Sequence, residues 1–295
     1  MKKYLLIIIF SILIVDSAIS QEDTARNWKT SGLFSLNASQ VSFTNWAAGG
    51  ENSVSGNSFV NLAANYKKDQ MVWDNTLDLG FGLMKQGKRN LFKSDDKIDF
   101  SSKLGRHAFD HLFYTALINF KSQFAEGYKT MDDTVRISNF LAPGYLNVSI
   151  GMDYKPKDKF TLYLSPFSGK TTFVKDTLLS SLGAFGVTPG QNIRYEFGGY
   201  AKAQLILNLM KNVTYTTKLD LFSNYLKNPQ NVDVNWENLI TMKINGFFSA
   251  NAMFVMLYDD DVKVNIDSNN DGVYDMQGSR LQMKQLFGIG LTYKF

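Results

Sequence analysis

Few residues in this chain are of a type and spacing that can do chemistry. His107 and His111 are its two imidazoles, either side of the short segment Ala108-Phe109-Asp110. An imidazole can serve as a general base, but a lipid-acting hydrolase also needs a serine nucleophile beside it, and a His–Asp protease needs a paired acid. No H-x-S-x-G arrangement is present, so His107 and His111 read as turn residues and no catalytic residue is assigned. Cysteine is absent, which removes disulfides, thiolate metal sites, a thiol nucleophile and a lipoprotein anchor.

A second cluster is the acidic run from Asp267 to Asp275. Asp267, Asn269 and Asp271 fall at alternate positions, Gly272 follows, and Asp275 is close behind. That spacing lets oxygen ligands converge on Ca²⁺ while glycine permits the sharp turn. Gly278, however, stands where a bidentate glutamate would complete an EF-hand loop, and hairpin tips are rich in Asp, Asn and Gly for turn reasons alone. Ca²⁺ is thus the one cofactor in view, with an ordinary hydrophilic loop as the alternative.

A third group is dispersed. Asp74, Asp78, Arg194, Glu196, Lys202, Lys218, Asp220, Asp233, Glu237 and Lys243 each lie in a stretch where apolar and polar residues alternate, always on the polar side. A period of two places them on one face of β-strands. The cleanest such stretch has Ile193, Tyr195, Phe197, Ala201, Ala203, Leu205 and Leu207 on one face and Arg194, Glu196, Lys202 and Gln204 on the other. The last one ends the same way, with Phe287, Ile289, Leu291, Tyr293 and Phe295 against Gly288, Gly290, Thr292 and Lys294.

About twelve such strands follow one another, beginning near Gly32. Short turns near 67–70, 109–110, 156–158 and 210–212 alternate with longer polar loops around 85–95, 125–143, 169–190 and 259–278. In the second-last of these, Asp176 is placed to cap a short helix ending at Gly186. Alternate short turns and long loops in an even number of strands are the pattern of a transmembrane antiparallel up-and-down β-barrel. Lys2, Lys3, the apolar run Tyr4 to Val15 and Ala18-Ile19-Ser20 make residues 1–20 a cleaved signal peptide. Residues 21–31 then form a short periplasmic lead-in, and 32–295 the barrel.

Composition agrees. The 295 residues are 44% hydrophobic and 14% aromatic, yet mean hydropathy is −0.17 because apolar and polar residues interleave. No unbroken apolar run of about 20 residues exists, so the spans are not helical. A net charge of +4, scattered along the chain, gives no stripe for nucleic acid.

Polarity decides which face is which. A Lys or Arg facing lipid at mid-depth costs roughly 2–4 kcal/mol, so the charged face must be the interior. Tyr66, Trp73, Tyr154, Phe160, Tyr215 and Phe295 lie beside short turns, where an inner aromatic girdle belongs. The interior charges either pair into a network that fills the lumen or line a narrow aqueous path; recurrence of both signs on neighbouring strands favours pairing. The segment 44–52 is a candidate inward-folded piece, since Trp46, Ala47 and Ala48 are unusual at a solvated tip; the alternative is an anchor at the outer interface. The loop at 169–190 is a second candidate plug.

From Trp28 onward, the run Trp28-Lys29-x-x-Gly32, then Asn37-x-x-Gln40-x-x-Phe43-x-Asn45-Trp46-Ala47-Ala48-Gly49-Gly50-Glu51-Asn52, resembles a Bacteroidota outer-membrane β-barrel family of unknown function (domain of unknown function 3078). Asn45, Trp46, Gly49, Gly50, Glu51 and Asn52 are its most specific part. The resemblance implies an outer-membrane barrel of a Gram-negative bacterium and brings no substrate or catalytic residues. The expectation is a non-enzymatic structural or accessory barrel with a filled or narrow lumen. Its partners would be outer-membrane lipid, the barrel assembly machinery reading the Phe295 strand, and envelope proteins. A porin-like diffusion channel for small solutes is the alternative, and a lipid- or peptide-acting enzyme a third class.

Overall fold

The computed structural model describes residues 27–43, 51–130, 132–157, 159–266 and 275–295. Among the described residues sixteen strands form in chain order: β1 Trp28–Val41, β2 Ser53–Lys68, β3 Met71–Gln86, β4 Phe92–Phe109, β5 Leu112–Ser122, β6 Gly127–Tyr128, β7 Arg136–Ser138, β8 Gly144–Lys157, β9 Phe160–Phe173, β10 Ile193–Met210, β11 Val213–Asn224, β12 Val232–Lys243, β13 Phe248–Tyr258, β14 Val264–Ile266, β15 Met276–Gly278 and β16 Gln282–Lys294. Twelve of them close into one antiparallel barrel in which each strand pairs with its predecessor and β16 returns to β1. The pairs β6–β7 and β14–β15 are small ribbons within loops. Among the described residues no helix is long and apolar enough to cross a membrane.

The period of two survives as burial. Along β5, Tyr114, Ala116 and Ile118 are exposed while Thr115, Leu117 and Asn119 are buried. In β10, Tyr195 and Phe197 are exposed while Glu196 and Tyr200 are buried. The molecule is therefore inside out: Ile150, Leu164, Phe167, Phe287 and Ile289 lie on the surface, and Asp78, Asp153 and Glu196 are enclosed. Only a hydrocarbon surround makes that arrangement favourable: it accepts the apolar side chains that water would reject, while the closed ladder of strands supplies the backbone partners that lipid cannot.

Aromatic rings collect at the end with the tight turns. Trp28 packs 5.2 Å from Tyr66 and 5.6 Å from Trp73, Tyr154 lies 6.5 Å from Phe160, and Tyr293 stacks 5.8 Å from Phe295. His107 and His111 sit here too, as turn residues. The His107 ring meets the Asp110 carbonyl at 2.9 Å and Phe113 edge-on, and His111 packs against Tyr154.

Three boundaries differ from the sequence reading. β1 starts at Trp28 rather than Gly32, so residues 28–31 belong to the barrel; Trp28 to Ser31 find partners in Tyr66 to Ala63. β9 continues to Phe173, because Gly169 to Phe173 pair with Phe197 to Ile193, and the loop shrinks to 174–192. β3 and β4 extend to Gln86 and back to Phe92, leaving only 87–91 between them. In each case a polar stretch that lacked clean alternation was held in the ladder by its neighbours.

The 174–192 loop is ordered by its own contacts. Asp176 caps a helix, α1 (Thr177–Ser181), accepting from the backbone N–H of Leu178 at 3.0 Å and Leu179 at 3.2 Å. Val174, Leu179 and Val187 enclose a small core with Ala142 from the loop before β8. A Cβ added to Gly186 (φ +76°) would fall 2.5 Å from Nη1 of Arg194 and 3.0 Å from Cβ of Asp261, so this turn of the loop touches the outermost lumen charges.

Candidate functional site

The interior holds three tiers of charge. Near the tight turns, Lys103 bonds Asp153 at 2.6 Å, and Lys155 joins Asp153 to Asp74. Two cations face two anions there, and Asp153 is fully buried.

The middle tier spans the lumen. Lys97 on β4 bonds both carboxylate oxygens of Glu237 on β12, at 2.8 and 2.7 Å. Lys218 on β11 bonds Asp78 on β3 at 2.7 Å, and Lys121 on β5 bonds Asp220 on β11 at 2.6 Å. Lys202 adds a 3.0 Å pair with Asp220, and Asp99 lies 3.6 Å from Lys97 and 3.9 Å from Lys121. Lys97, Lys121, Lys202 and Lys218 thus balance Asp78, Asp99, Asp220 and Glu237. Next to this tier, Leu117, Tyr163, Tyr200 and Phe222 form an apolar cluster within the wall's inner face, and the Tyr200 hydroxyl donates to Asp220 at 2.8 Å.

Two of these bonds fix the barrel's cross-section. In the ring order β4 is six strands from β12, and β3 six from β11; each pair is diametrically opposed. Twelve strands about 4.8 Å apart and tilted about 40° would close into a round barrel with a backbone diameter on the order of 24 Å. An extended lysine and glutamate joined by one hydrogen bond span only on the order of 14 Å between Cα atoms. The barrel is therefore flattened, with the walls carrying Lys97 and Glu237 pressed toward each other.

The outer tier is acidic. Lys170 bonds Asp233 at 2.6 Å and lies 3.4 Å from Asp259 and 3.7 Å from Glu196. Arg194 pairs with Glu196 at 2.8 Å and Asp261 at 2.7 Å, and Lys227 reaches Asp261 at 3.1 Å. Burial works against charge on Asp261, but Arg194 and Lys227 outweigh it and hold this loop carboxyl below its ordinary range. At the rim, Lys284 on β16 meets Asp95 on β4 at 2.6 Å.

Nine of the ten interior charges named from sequence, Asp74, Asp78, Arg194, Glu196, Lys202, Lys218, Asp220, Asp233 and Glu237, thus sit in paired tiers. Lys243 does not: it ends β12 and is exposed. Sequence reading set Lys121 on the polar face of its strand without naming a partner for it, and left out Lys97 and Lys170. Parity with Asp95 and Asp99 marks Lys97 as inward, and parity with Asn119 does the same for Lys121. Lys170 was hidden by its assignment to a loop.

The proposed Ca²⁺ ligands Asp267, Asn269 and Asp271 lie outside the described residues, as do Asn45, Trp46, Gly49 and Gly50 of the motif. Among the described residues no group of three or more His, Asp or Glu side chains converges as a metal site. Two motif residues are described. The Asn52 side chain accepts from the Phe43 N–H at 2.6 Å, and Glu51 lies against Gly87, whose added Cβ would sit 3.2 Å from its carboxylate.

Fold and polarity together define an integral β-barrel of the outer-membrane class. Residues 38–128 match a family described as a protein of unknown function (DUF3078), a match that begins within the motif noted from sequence. Comparison with curated proteins returns no match. Solved structures similar to this chain include an outer membrane channel from Pseudomonas putida F1 (10% identity, TM-score 0.36, covering 94% of this chain and 97% of that one). The translocator domain of the autotransporter NalP from Neisseria meningitidis is also similar (10%, 0.36, 99% and 96%). So is OmpT, an outer membrane protein of Vibrio cholerae (8%, 0.32, 94% and 100%). Likenesses of this size say nothing about activity.

Proposed function

We propose that this protein is a non-enzymatic, structural or accessory barrel of the outer membrane whose lumen is closed to diffusing solutes. The observation that carries this reading is the pair of lumen-spanning bonds, Lys97 to Glu237 and Lys218 to Asp78. They join opposite walls at mid-height, and the charges they neutralise leave no single-sign path for an ion to follow. The loop over Arg194 adds a second obstruction at the mouth. Trp28 at the start of β1 and Phe295 after β16 lie at the end with the tight turns, which would be the periplasmic side, with the long loops outside. Partners would then be lipid around the wall, the assembly machinery during insertion, and other envelope proteins. Any Ca²⁺ bound at Asp267, Asn269, Asp271 and Asp275 would belong to an external loop.

Planar-bilayer recording of the purified mature chain tests the reading. The expected result is no steady ion-conducting openings; stable unitary currents would establish the diffusion-channel alternative instead.

A further inference from the structure

The lipid-facing side of β10 carries a slot. Gly199 and Ala201 point outward there, since Tyr200 between them is buried in the interior. They pair with Ser223 and Leu221 on β11, and Ala201 also pairs with Leu164 on β9. A bulge in β9 sets two residues, Pro166 and Phe167, opposite Gly199 alone. A hydrogen atom and a methyl group therefore stand between the larger side chains of both neighbouring strands. The result is an apolar recess of about 380 Å³, lined by Leu164, Pro166, Gly199, Ala201, Leu221 and Tyr225. Tyr225 closes its upper end: a Cβ added to Gly199 would lie 2.6 Å from the Tyr225 hydroxyl, and the ring meets Phe197 edge-on at 6.2 Å.

Depth and width decide what can enter. At a tilt of about 40° each residue climbs about 2.6 Å along the membrane normal, so Tyr225 stands about 26 Å above Tyr215 of the inner girdle. That matches an apolar band about 25 Å tall: the Tyr225 hydroxyl lies at the outer interface, and the slot runs down from it into hydrocarbon. A polypeptide does not fit. β10 is hydrogen-bonded on both sides here, which leaves no edge for an added strand. The flanking rows on β9 and β11 are two strand spacings apart, about 10 Å before their side chains narrow the gap, while a helix is about 10–12 Å across. A single hydrocarbon chain does fit. The Ser223 hydroxyl is already engaged, donating to the Pro229 carbonyl at 2.6 Å, whereas that of Tyr225 makes no hydrogen bond among the described residues.

We propose that this slot is a binding site for one acyl chain of a membrane glycerolipid in the leaflet at the long-loop end, with the Tyr225 hydroxyl donating to the ester carbonyl that heads the chain. The two ends of the site match the two parts of that ligand. Apolar walls meet the methylenes, and a phenol at the interface meets the first polar group above them. This deepens the reading of lipid as a partner of the wall, whereas bilayer currents test the closed lumen, so the two fail separately.

The test reconstitutes the mature chain in phosphatidylcholine vesicles that contain a phosphatidylcholine with a photoreactive diazirine midway along one acyl chain. Labelled residues are mapped by mass spectrometry. Expected is labelling of Leu164 about tenfold above Ile118 and Leu291, which are about as exposed to lipid but lie away from the slot. Ala201→Leu fills the slot and should bring Leu164 down to the level of those controls. Tyr225→Phe removes one hydrogen bond and should lower its labelling about fivefold. Gly199→Val, whose nearest contacts are atoms of the Tyr225 side chain, is the second filling variant should Ala201→Leu give no folded barrel. Even labelling of all three positions, labelling unchanged by filling the slot or by loss of the hydroxyl, or labelling by the free diazirine fatty acid and not by the phospholipid, would overturn the proposal.

Discussion

Lys97→Met is the most informative perturbation of the lumen. Lys97 makes two bonds to Glu237 and lies 3.6 Å from Asp99 and 4.0 Å from Asp78. Its removal leaves Lys121, Lys202 and Lys218 facing four carboxylates, with Glu237 stripped of both bonds. Glu237 and Lys97 are only 20% and 24% exposed, so water compensates little. Breaking one side of a buried pair costs about 3–5 kcal/mol. Equilibrium urea unfolding in lipid vesicles should register that loss. Replacing both partners with apolar groups of similar volume is close to neutral, so Lys97→Met combined with Glu237→Leu should recover all but about 1 kcal/mol. A single variant as stable as the parent, or a double variant no better than the single, would refute the view that this bond bridges opposite walls within a closed interior.

Three further outcomes are expected. Gly32→Val puts a methyl-bearing carbon about where the Phe295 ring now lies, since even a bare Cβ would come within 2.2 Å of it; the ring must swing aside and give up its stacking on Tyr293, so the urea midpoint of unfolding should fall while the barrel still forms. Trp28→Ala removes ring contacts with Tyr66 and Trp73, and should lower stability by about 1–3 kcal/mol for two aromatic pairs, read by tryptophan fluorescence during unfolding. Burial opposes charge on Asp176, but the Asn139 amide, the Leu179 and Leu178 N–H groups and Arg136 prevail and keep its carboxyl below the usual value. A depressed folded pKa means the cap's stabilisation is present above the ordinary aspartate pKa and lost as pH falls through the lowered one. Hydrogen-exchange protection of the Leu178 and Leu179 amides should fall in that acid window, and Asp176→Ala should remove it at neutral pH.

The wall was legible because a half-lipid, half-lumen strand forces strict alternation. One misplaced charge would cost as much as several good contacts return, so Arg194, Glu196 and Lys202 declared their face without any coordinates. Short turns such as 69–70 were equally plain. The partners of those charges were not legible. Lys97 and Glu237 are 140 residues apart, and nothing in local pattern says which strand lies across the lumen from which. Strand ends were missed where alternation gave way to runs such as Ser168-Gly169-Lys170-Thr171-Thr172, held in the sheet by β8 and β10 rather than by their own preference. Asp176 was identifiable as a cap from its position alone, but the small core it organises required Ala142 from a different loop.

Pressing two broad walls together has a geometric price elsewhere on the circumference. A ring that is nearly straight along its long sides must turn sharply at its ends, and an evenly pleated ribbon resists that. The β8–β9 ladder slips register twice, between Ile150 and Met152 and between Tyr154 and Lys157, and Gly151 brings the Leu164 carbonyl so close that an added Cβ would lie 2.1 Å from it. Such slips and glycines are the hinges at which a sheet can fold over. Substituting Gly151 should therefore be felt on the far side of the molecule, as a rounder outline and a stretched Lys97–Glu237 bond.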